Sequence, residues 1–323
     1  MIHTRGLTRS FRVGKDVVEA VRGVDIDVAR GELVALLGPN GAGKSTTLRM
    51  LTTLLEPTSG TAVVAGHDVR AEPAKVRRGI GFVGQGHGAG DDQRAEEELY
   101  TQGLLYGLDR RTARRRADEL LDQLELGAAV GREVTKLSGG QRRRLDIAMG
   151  LIHEPDLLFL DEPSTGLDPH SRANLWEHIT RLRDRLGTTV VLTTHYLDEA
   201  DDMAERILVI DHGRVIADGS ADELKGKVSG DLVTFTVSDG ERARAAAGIA
   251  ERTPSAGAAE VIEDVGRDPE VRLRVERGDA VLPELLRELD AAGISLLTVG
   301  VKRPTLDDVF LTLTGRSLRE EGA

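Results

Sequence analysis

The chain contains no cysteine, which excludes a disulfide framework and any thiolate metal site and suits a reducing compartment. Aromatic residues are few, at 3% of 323 positions. No uncharged apolar run reaches the length of about eighteen residues that a membrane-spanning helix needs, so this chain is not expected to cross a bilayer by itself. The opening residues Met1–Gly6 lack the apolar core of a signal peptide. Positive charge is in deficit, with a formal net charge of −11, which argues against broad nucleic-acid binding. Local basic runs do occur at Asp109–Arg116 and Arg142–Arg144. The first is followed by Leu120, Leu121 and Leu124 at helical spacing, and reads as the solvated face of a helix. The length accommodates one large domain, or one large plus one small.

Glycine is well represented, and its placement is informative. The run Gly38, Pro39, Asn40, Gly41, Ala42, Gly43, Lys44, Ser45 ends the apolar stretch Leu33–Leu37, and a helical pattern from Thr46 to Leu55 follows. The spacing G-x-x-x-x-G-K-S lets backbone N–H groups curl around polyphosphate oxygens, because glycine adopts the required angles and brings no Cβ to clash. Lys44 offers a point charge to the β- and γ-phosphates, Ser45 a hydroxyl to Mg²⁺, and the helix start its positive dipole end through Thr46. This setting, strand before and helix after, predicts nucleoside triphosphate binding.

Further along, Leu157–Leu160 and Thr188–Leu192 are continuous apolar runs with the length of buried parallel strands. A helix over Arg172–Leu186 between them makes a β-α-β crossover, hence a parallel sheet covered by helices. Earlier strands are expected near Ile2–Leu7, Val17–Val28 and Gly60–Ala65, and Arg77–Val83 leads into Gly84 and Gln85. Helical periodicity over Glu96–Leu126 and Lys136–Ile152 marks a helical subdomain, about residues 86–151. Ile207–Asp211 and Arg214–Gly219 read as a hairpin turning at His212-Gly213. Beyond Gly226 the texture changes to short strands (Leu232–Val237, Val271–Val275, Ser295–Val301) with an amphipathic helix Val281–Ala292 and a final segment Asp307–Leu313. The expected division is 1–228, then a small α+β domain over 229–315, then a frayed tail 316–323.

A phosphate loop needs a metal anchor and a group to orient water. The run Leu157–Leu160 ends in Asp161-Glu162, at the carboxyl edge of a buried strand. Asp161 is expected to hold Mg²⁺ and Glu162 to polarise the attacking water as general base. Leu137-Ser138-Gly139-Gly140-Gln141 opens the helix Arg142–Ile152 and forms a second anion site from exposed N–H groups and the Ser138 hydroxyl. Two phosphate sites in separate subdomains of one fold make sense if the second serves a neighbouring copy. His195, after the strand Val190–Thr194, is placed to contact a γ-phosphate.

With these motifs in order, the sequence resembles the ATP-binding subunits of ABC transporters over roughly residues 1–225, through Gly38–Ser45, Gln85, Leu137–Gln141, Asp161-Glu162, Ser164–Asp168 and His195. The resemblance implies an α/β P-loop NTPase fold, a RecA-like core with antiparallel β and helical subdomains, and ATP with Mg²⁺ as cofactors. It implies catalytic roles for Lys44, Gln85, Glu162 and His195, with Gln85 also contacting the metal and relaying to a membrane partner. Ser138, Gly139, Gly140 and Gln141 would reach the γ-phosphate of ATP on the other copy of a homodimer, supported by Asp168. Phe11 is the candidate for stacking on adenine, with plain core packing as the alternative. The ending Pro304–Gly315 resembles that of daunorubicin-resistance-type drug-export ATPases, whose appended domain governs assembly and function. Its Leu306, Val309, Phe310 and Leu313 equally suit a helix covering the appendage core. The glycine-rich Gly86–Gly90 and charged Arg94–Glu98 differ from many members. The implied function is ATP-driven export of a drug-like or lipid-like amphiphile through separate membrane permease subunits, from the cytoplasmic face of the plasma membrane. The alternative is a soluble ABC-type ATPase serving a machine other than a transporter.

Overall fold

Mostly apolar, buried strands pair in parallel in the main sheet of this protein, while strands of alternating burial pair antiparallel. The computed structural model describes residues 1–228, 230–253, 256–263 and 268–315. The chain divides into two units, Met1–Ala221 and Asp222–Ala323. The first runs through β1 (Ile2–Val13), β2 (Asp16–Val28), β3 (Leu33–Leu37), α1 (Lys44–Leu51), β4 (Ser59–Val64), β5 (His67–Asp68), α2 (Pro73–Gly79) and β6 (Ile80–Val83). Helices α3 (Ala95–Leu105), α4 (Arg110–Gln123) and α5 (Gly139–Leu151) follow. Then come β7 (Leu157–Asp161), α6 (Pro169–Leu186), β8 (Thr189–Thr194), α7 (Leu197–Met203), β9 (Arg206–Asp211) and β10 (Arg214–Gly219).

The central sheet has the order β10-β9-β3-β8-β7-β6, with every pair parallel except the hairpin β9–β10. Strands β3, β7 and β8 are buried at every position, as a sheet covered on both faces requires. Alternate residues serve the two faces. Val34, Leu36, Leu157, Phe159 and Val191 join Leu48, Met50 and Leu51 of α1 and the inward residues of the antiparallel sheet β2-β1-β4-β5 in one core. On the opposite face Leu158 and Val190 meet Ile147 and Leu151 of α5 and Ile179 and Leu182 of α6.

Helix α6 illustrates how local sequence sets these packings. Asp168 caps its start by accepting from the Ser171 N–H at 3.0 Å, and Pro169 fits the first turn, where no N–H donor is needed. Leu175, Trp176, Ile179 and Leu182 form its buried stripe. Each such aliphatic side chain contributes about 1.5–3 kcal/mol on burial. Gly187 ends the helix at φ 64°, in the left-handed region.

Several elements differ from the sequence reading. Arg77 and Arg78 belong to α2, and only Ile80–Val83 is strand. The helix after the Leu137–Gln141 motif starts at Gly139 rather than Arg142, because Ser138 and Gln141 cap it reciprocally. The basic run on α4 is not wholly a solvated face: Arg116 is buried, with its guanidinium 2.9 Å from Glu119 and 3.0 Å from Glu154. Likewise Arg143, the middle arginine of the second run, faces inward. In both runs helical rotation, which a charge count ignores, decides which arginine turns to the interior.

The second unit starts at Asp222 in α8 (Ala221–Gly226) and also contains β11 (Asp231–Thr236), α9 (Gly240–Ala250), β12 (Ala256–Ile262), β13 (Glu270–Val275), α10 (Gly278–Ala291), β14 (Thr298–Lys302) and α11 (Leu306–Thr314). Its sheet is antiparallel, in the order β12-β13-β11-β14. Val233, Phe235, Val271, Leu273 and Val275 pack under Ala243, Ala246 and Ala250 of α9 and Val281, Leu285 and Leu289 of α10. Alanine-rich α9 thus lies close on the sheet. Leu306, Val309 and Phe310 of α11 are buried, whereas Leu313 is exposed. The expected tail, 316–323, lies outside the described residues.

Backbone contact between β6 and α5 is unusually close. A Cβ on Gly81 would sit 2.2 Å from the Gly150 carbonyl oxygen and 2.9 Å from Leu158. Gly81→Ala is therefore expected to lower stability by about 1–3 kcal/mol, read as a reduced urea midpoint at unchanged m-value.

Candidate active site

Parallel strands end on one side, and the carboxyl edge of the central sheet collects four loops. The loop after β3 holds the phosphate-binding motif. Gly38 is pressed against β9, where a Cβ would lie 2.1 Å from the Ile210 carbonyl oxygen, and Gly43 takes φ 104° as the cap of α1. The turn leaves the first N–H groups of α1 without intrahelical partners, and Thr47 is the first to bond back, to Gly43 at 2.9 Å. Asn40, Gly41, Ala42, Gly43, Lys44, Ser45 and Thr46 line an open cleft of about 160 Å³ together with Gln85 and Glu162.

Lys44 is nearly fully buried and donates to the Gly38 and Pro39 carbonyls at 2.7 and 3.0 Å. Burial lowers its pKa, while the nearby carboxylates of Glu162 and Asp161 pull the other way. Its ammonium lies 3.8 Å from Glu162 Oε1. Asp161, at the end of β7, accepts at Oδ1 from Ser45 Oγ at 2.8 Å and from Thr193 Oγ1 at 2.7 Å. Gln85, two residues beyond β6, donates from Nε2 to Ser45 Oγ at 3.3 Å. The second carboxylate oxygen of Asp161 is buried without a hydrogen-bond partner. A buried anionic oxygen in that condition calls for a cation or a donor.

Glu162 occupies the left-handed region at φ 47°, a costly conformation for a side chain of this kind. It is held there by its N–H donating to Thr193 Oγ1 at 2.9 Å, and the side chain, 12% exposed, faces the cleft. His195 Nδ1 stands 3.6 Å from Glu162 Oε2, beyond hydrogen-bond reach, and is buried without a partner. Sequence reasoning missed three supports of this constellation. Thr193 joins Asp161 to Glu162, and Glu199, buried on α7, accepts from Ser164 Oγ and from Thr194 Oγ1 at 2.9 Å. Arg172 lies 3.4 Å from Glu199 and stacks over Tyr196 at 4.3 Å. The only local signal was a pair of threonines closing an apolar strand.

The Ser138 motif lies elsewhere on the surface of this unit. Ser138 Oγ accepts from the Gln141 N–H at 3.3 Å while Gln141 Oε1 accepts from the Ser138 N–H at 3.0 Å. Ser138 and Gly139 are exposed. A Cβ on Gly140 would meet Ser171 at 3.2–3.3 Å, and Ser171 Oγ is bonded to Asp168 Oδ2 at 2.6 Å, so Asp168 and the motif are neighbours through one serine. Among the described residues, no hydrogen bond or ion pair links 138–141 to 38–46. Phe11 sits on β1 directly opposite Val18 of β2, half-buried rather than in the core, with the Arg9 guanidinium 4.7 Å from its ring centroid. Plain core packing, the alternative considered for Phe11, does not hold.

Known proteins resemble this chain in sequence and fold. Residues 21–165 match the family described as ABC transporter, and residues 219–314 match the ATP-binding protein DrrA1-3-like C-terminal domain. The chain is 45% identical to the daunorubicin resistance ATP-binding protein DrrA3 of Streptomyces coeruleorubidus, over 94% of both chains. It is 35% identical to the linearmycin resistance ATP-binding protein LnrL of Bacillus subtilis, over 99% of this chain and all of that one. Among solved structures, an ATP-binding cassette captured as a dimer in a post-hydrolysis state with ADP and Pi superposes with a TM-score of 0.63 at 28% identity, covering 68% of this chain and 98% of that one. No helix among the described residues is long and apolar enough to cross a membrane. The chain belongs to the ATP-binding, ATP-hydrolysing subunits of ABC transporters, in the group that carries the DrrA-like C-terminal domain.

Proposed function

We propose that two copies of this chain close face to face over two ATP molecules, each site formed by the phosphate loop of one copy and the Ser138–Gln141 motif of the other. One observation carries this reading: the described residues gather Lys44, Ser45, Gln85, Asp161, Glu162 and His195 at one cleft, yet no hydrogen bond or ion pair among them ties the capped, exposed helix start 138–141 to the phosphate loop 38–46. Backbone N–H groups at 41–46 and Lys44 receive the phosphates. Phe11, with Val18 beside it on the neighbouring strand, offers a platform for adenine. Ser138, Gly139 and Gly140 of the facing copy present N–H groups and a hydroxyl to the γ-phosphate, with Asp168 holding Ser171 against Gly140.

The donor set suits Mg²⁺. Among the described residues no three His, Cys, Asp or Glu side chains converge as a metal cage, but Mg²⁺ is usually held by one or two carboxylates, waters and substrate phosphates. Asp161, with its unpartnered oxygen, Ser45 and Gln85 would hold it. When bound, the ion would offset negative charge on the phosphates. Glu162 takes the proton of the attacking water, Lys44 balances charge on the phosphoryl oxygens, and His195 donates to the γ-phosphate as charge builds there. The products are ADP and phosphate, whose separation removes the contacts that hold the copies together.

The work done by this cycle is export of an amphiphile through separate membrane subunits, with this chain peripheral at the cytoplasmic face. Supporting that reading, relatives are named for daunorubicin and linearmycin resistance and for Nod factor export.

Glu162→Gln is expected to retain ATP binding while hydrolysis falls about 10²–10⁴-fold, and to accumulate an ATP-dependent dimer in size-exclusion chromatography. Retained hydrolysis would remove Glu162 as the base. Ser138→Trp alone should be equally inactive. Mixed with the Glu162→Gln chain, however, it should regain part of the activity, because one shared site then has both its own Glu162 and a facing Ser138; mixed dimers no more active than either variant alone would refute shared sites. Chelation of divalent cations should abolish hydrolysis, with recovery on adding Mg²⁺.

A further inference from the structure

Arg143 lies one turn into α5, just beyond the Ser138 cap, and its side chain is only 5% exposed. Its guanidinium donates from Nε to the Pro163 carbonyl at 2.7 Å and from Nη1 to the Gly84 carbonyl at 2.6 Å. Nη2 reaches the carbonyls of Asp161 at 3.2 Å and Glu162 at 3.4 Å. One rigid fork therefore grips the backbone on both sides of Glu162 and the residue before Gln85. Burial lowers its pKa, offset by attraction to Asp146 and Asp161. No carboxylate is within hydrogen-bond reach: Asp146, one turn further along α5, stands 4.0 Å away. Asp146 is itself buried, accepts from the Gly88 N–H at 2.9 Å and lies 3.1 Å from His87 Nδ1, which fixes the far side of Gln85.

A buried cation is a costly way to fill space, and a lysine could not hold four carbonyls spread over two loops. What the fork achieves is mechanical connection. The helix whose first residues form the Ser138 motif is attached through Arg143 and Asp146 to the loops bearing Gln85 and Glu162 of the same chain. Helices transmit displacement as rigid bodies.

We infer that Arg143, assisted by Asp146, is a positioning residue that couples the two nucleotide sites: engagement of Ser138 by nucleotide on the facing copy shifts α5 and thereby sets Glu162 and Gln85 in the chain's own site. This inference rests on the shared-site reading above.

The test compares the full-length chain with Arg143→Lys and Asp146→Ala. Initial rates are measured across ATP concentration, with equilibrium binding of a fluorescent ATP analogue and thermal unfolding alongside. The wild-type chain should show a Hill coefficient of about 2, that of two coupled sites. Arg143→Lys should still bind the analogue, while the buried carbonyl contacts it gives up lower its unfolding temperature. Its kcat should fall up to about 10²-fold, as misplacement of a catalytic group does, and its Hill coefficient should drop to about 1. Asp146→Ala should lose less kcat but the same cooperativity, and it decides the matter alone if Arg143→Lys fails to fold. Variants that remain as cooperative as the wild type, or that lose nucleotide binding in step with rate, overturn the coupling role while leaving shared sites intact. A wild-type chain without cooperativity, together with inactive mixtures of the Ser138→Trp and Glu162→Gln chains, overturns both.

Discussion

Parallel strand pairing carries a directional consequence on which the remaining geometry depends. Because β3, β6, β7 and β8 run the same way, the phosphate loop, Gln85, the Asp161-Glu162 pair and His195 all emerge at one edge. Residues more than a hundred positions apart come within hydrogen-bonding distance there, as Ser45 and Asp161 do. Strands β3, β7 and β8, buried at every position and largely apolar, make this arrangement stable, since they can be buried only between two covering layers. The antiparallel sheet and α1 supply one layer and α5 and α6 the other. Core packing and catalytic geometry are thus consequences of the same register.

Much of this was legible in the primary structure, for a physical reason. A phosphate loop is a local motif whose glycines, lysine and serine act within one turn, and an acidic pair after four apolar residues marks a strand end by itself. The crossover from β7 through α6 to β8 followed from run lengths. Less legible were the features that depend on which way a helix is rotated or which loop lies opposite. Three consecutive arginines at 142–144 read alike as charge, yet only Arg143 is bonded to four main-chain carbonyls in distant loops. Arg116 was misread for the same reason. Thr193 and Glu199 are common residue types at unremarkable positions, and their roles come from partners that only the folded chain supplies. The helix α9 was hidden because an alanine- and glycine-rich stretch lacks a strong apolar stripe, although alanine suits a helix lying close on a sheet.

The two anion-ready helix starts are built on different principles. Gly43 opens α1 in a left-handed conformation that exposes N–H groups inward to the cleft. Ser138 opens α5 through a reciprocal cap with Gln141 that fixes the turn and leaves it facing outward. The inward one sits among titratable side chains, whereas the outward one is bordered by Asp168 through Ser171.

The backbone at Glu162 has an evolutionary implication. At φ 47°, glycine or asparagine would be more comfortable than glutamate. A change to either would relieve that strain, so with Glu162 in the role proposed above, stability and turnover favour different residues at this position. Gene copies released from the demand for turnover could then trade the carboxylate for a sturdier fold that still holds nucleotide.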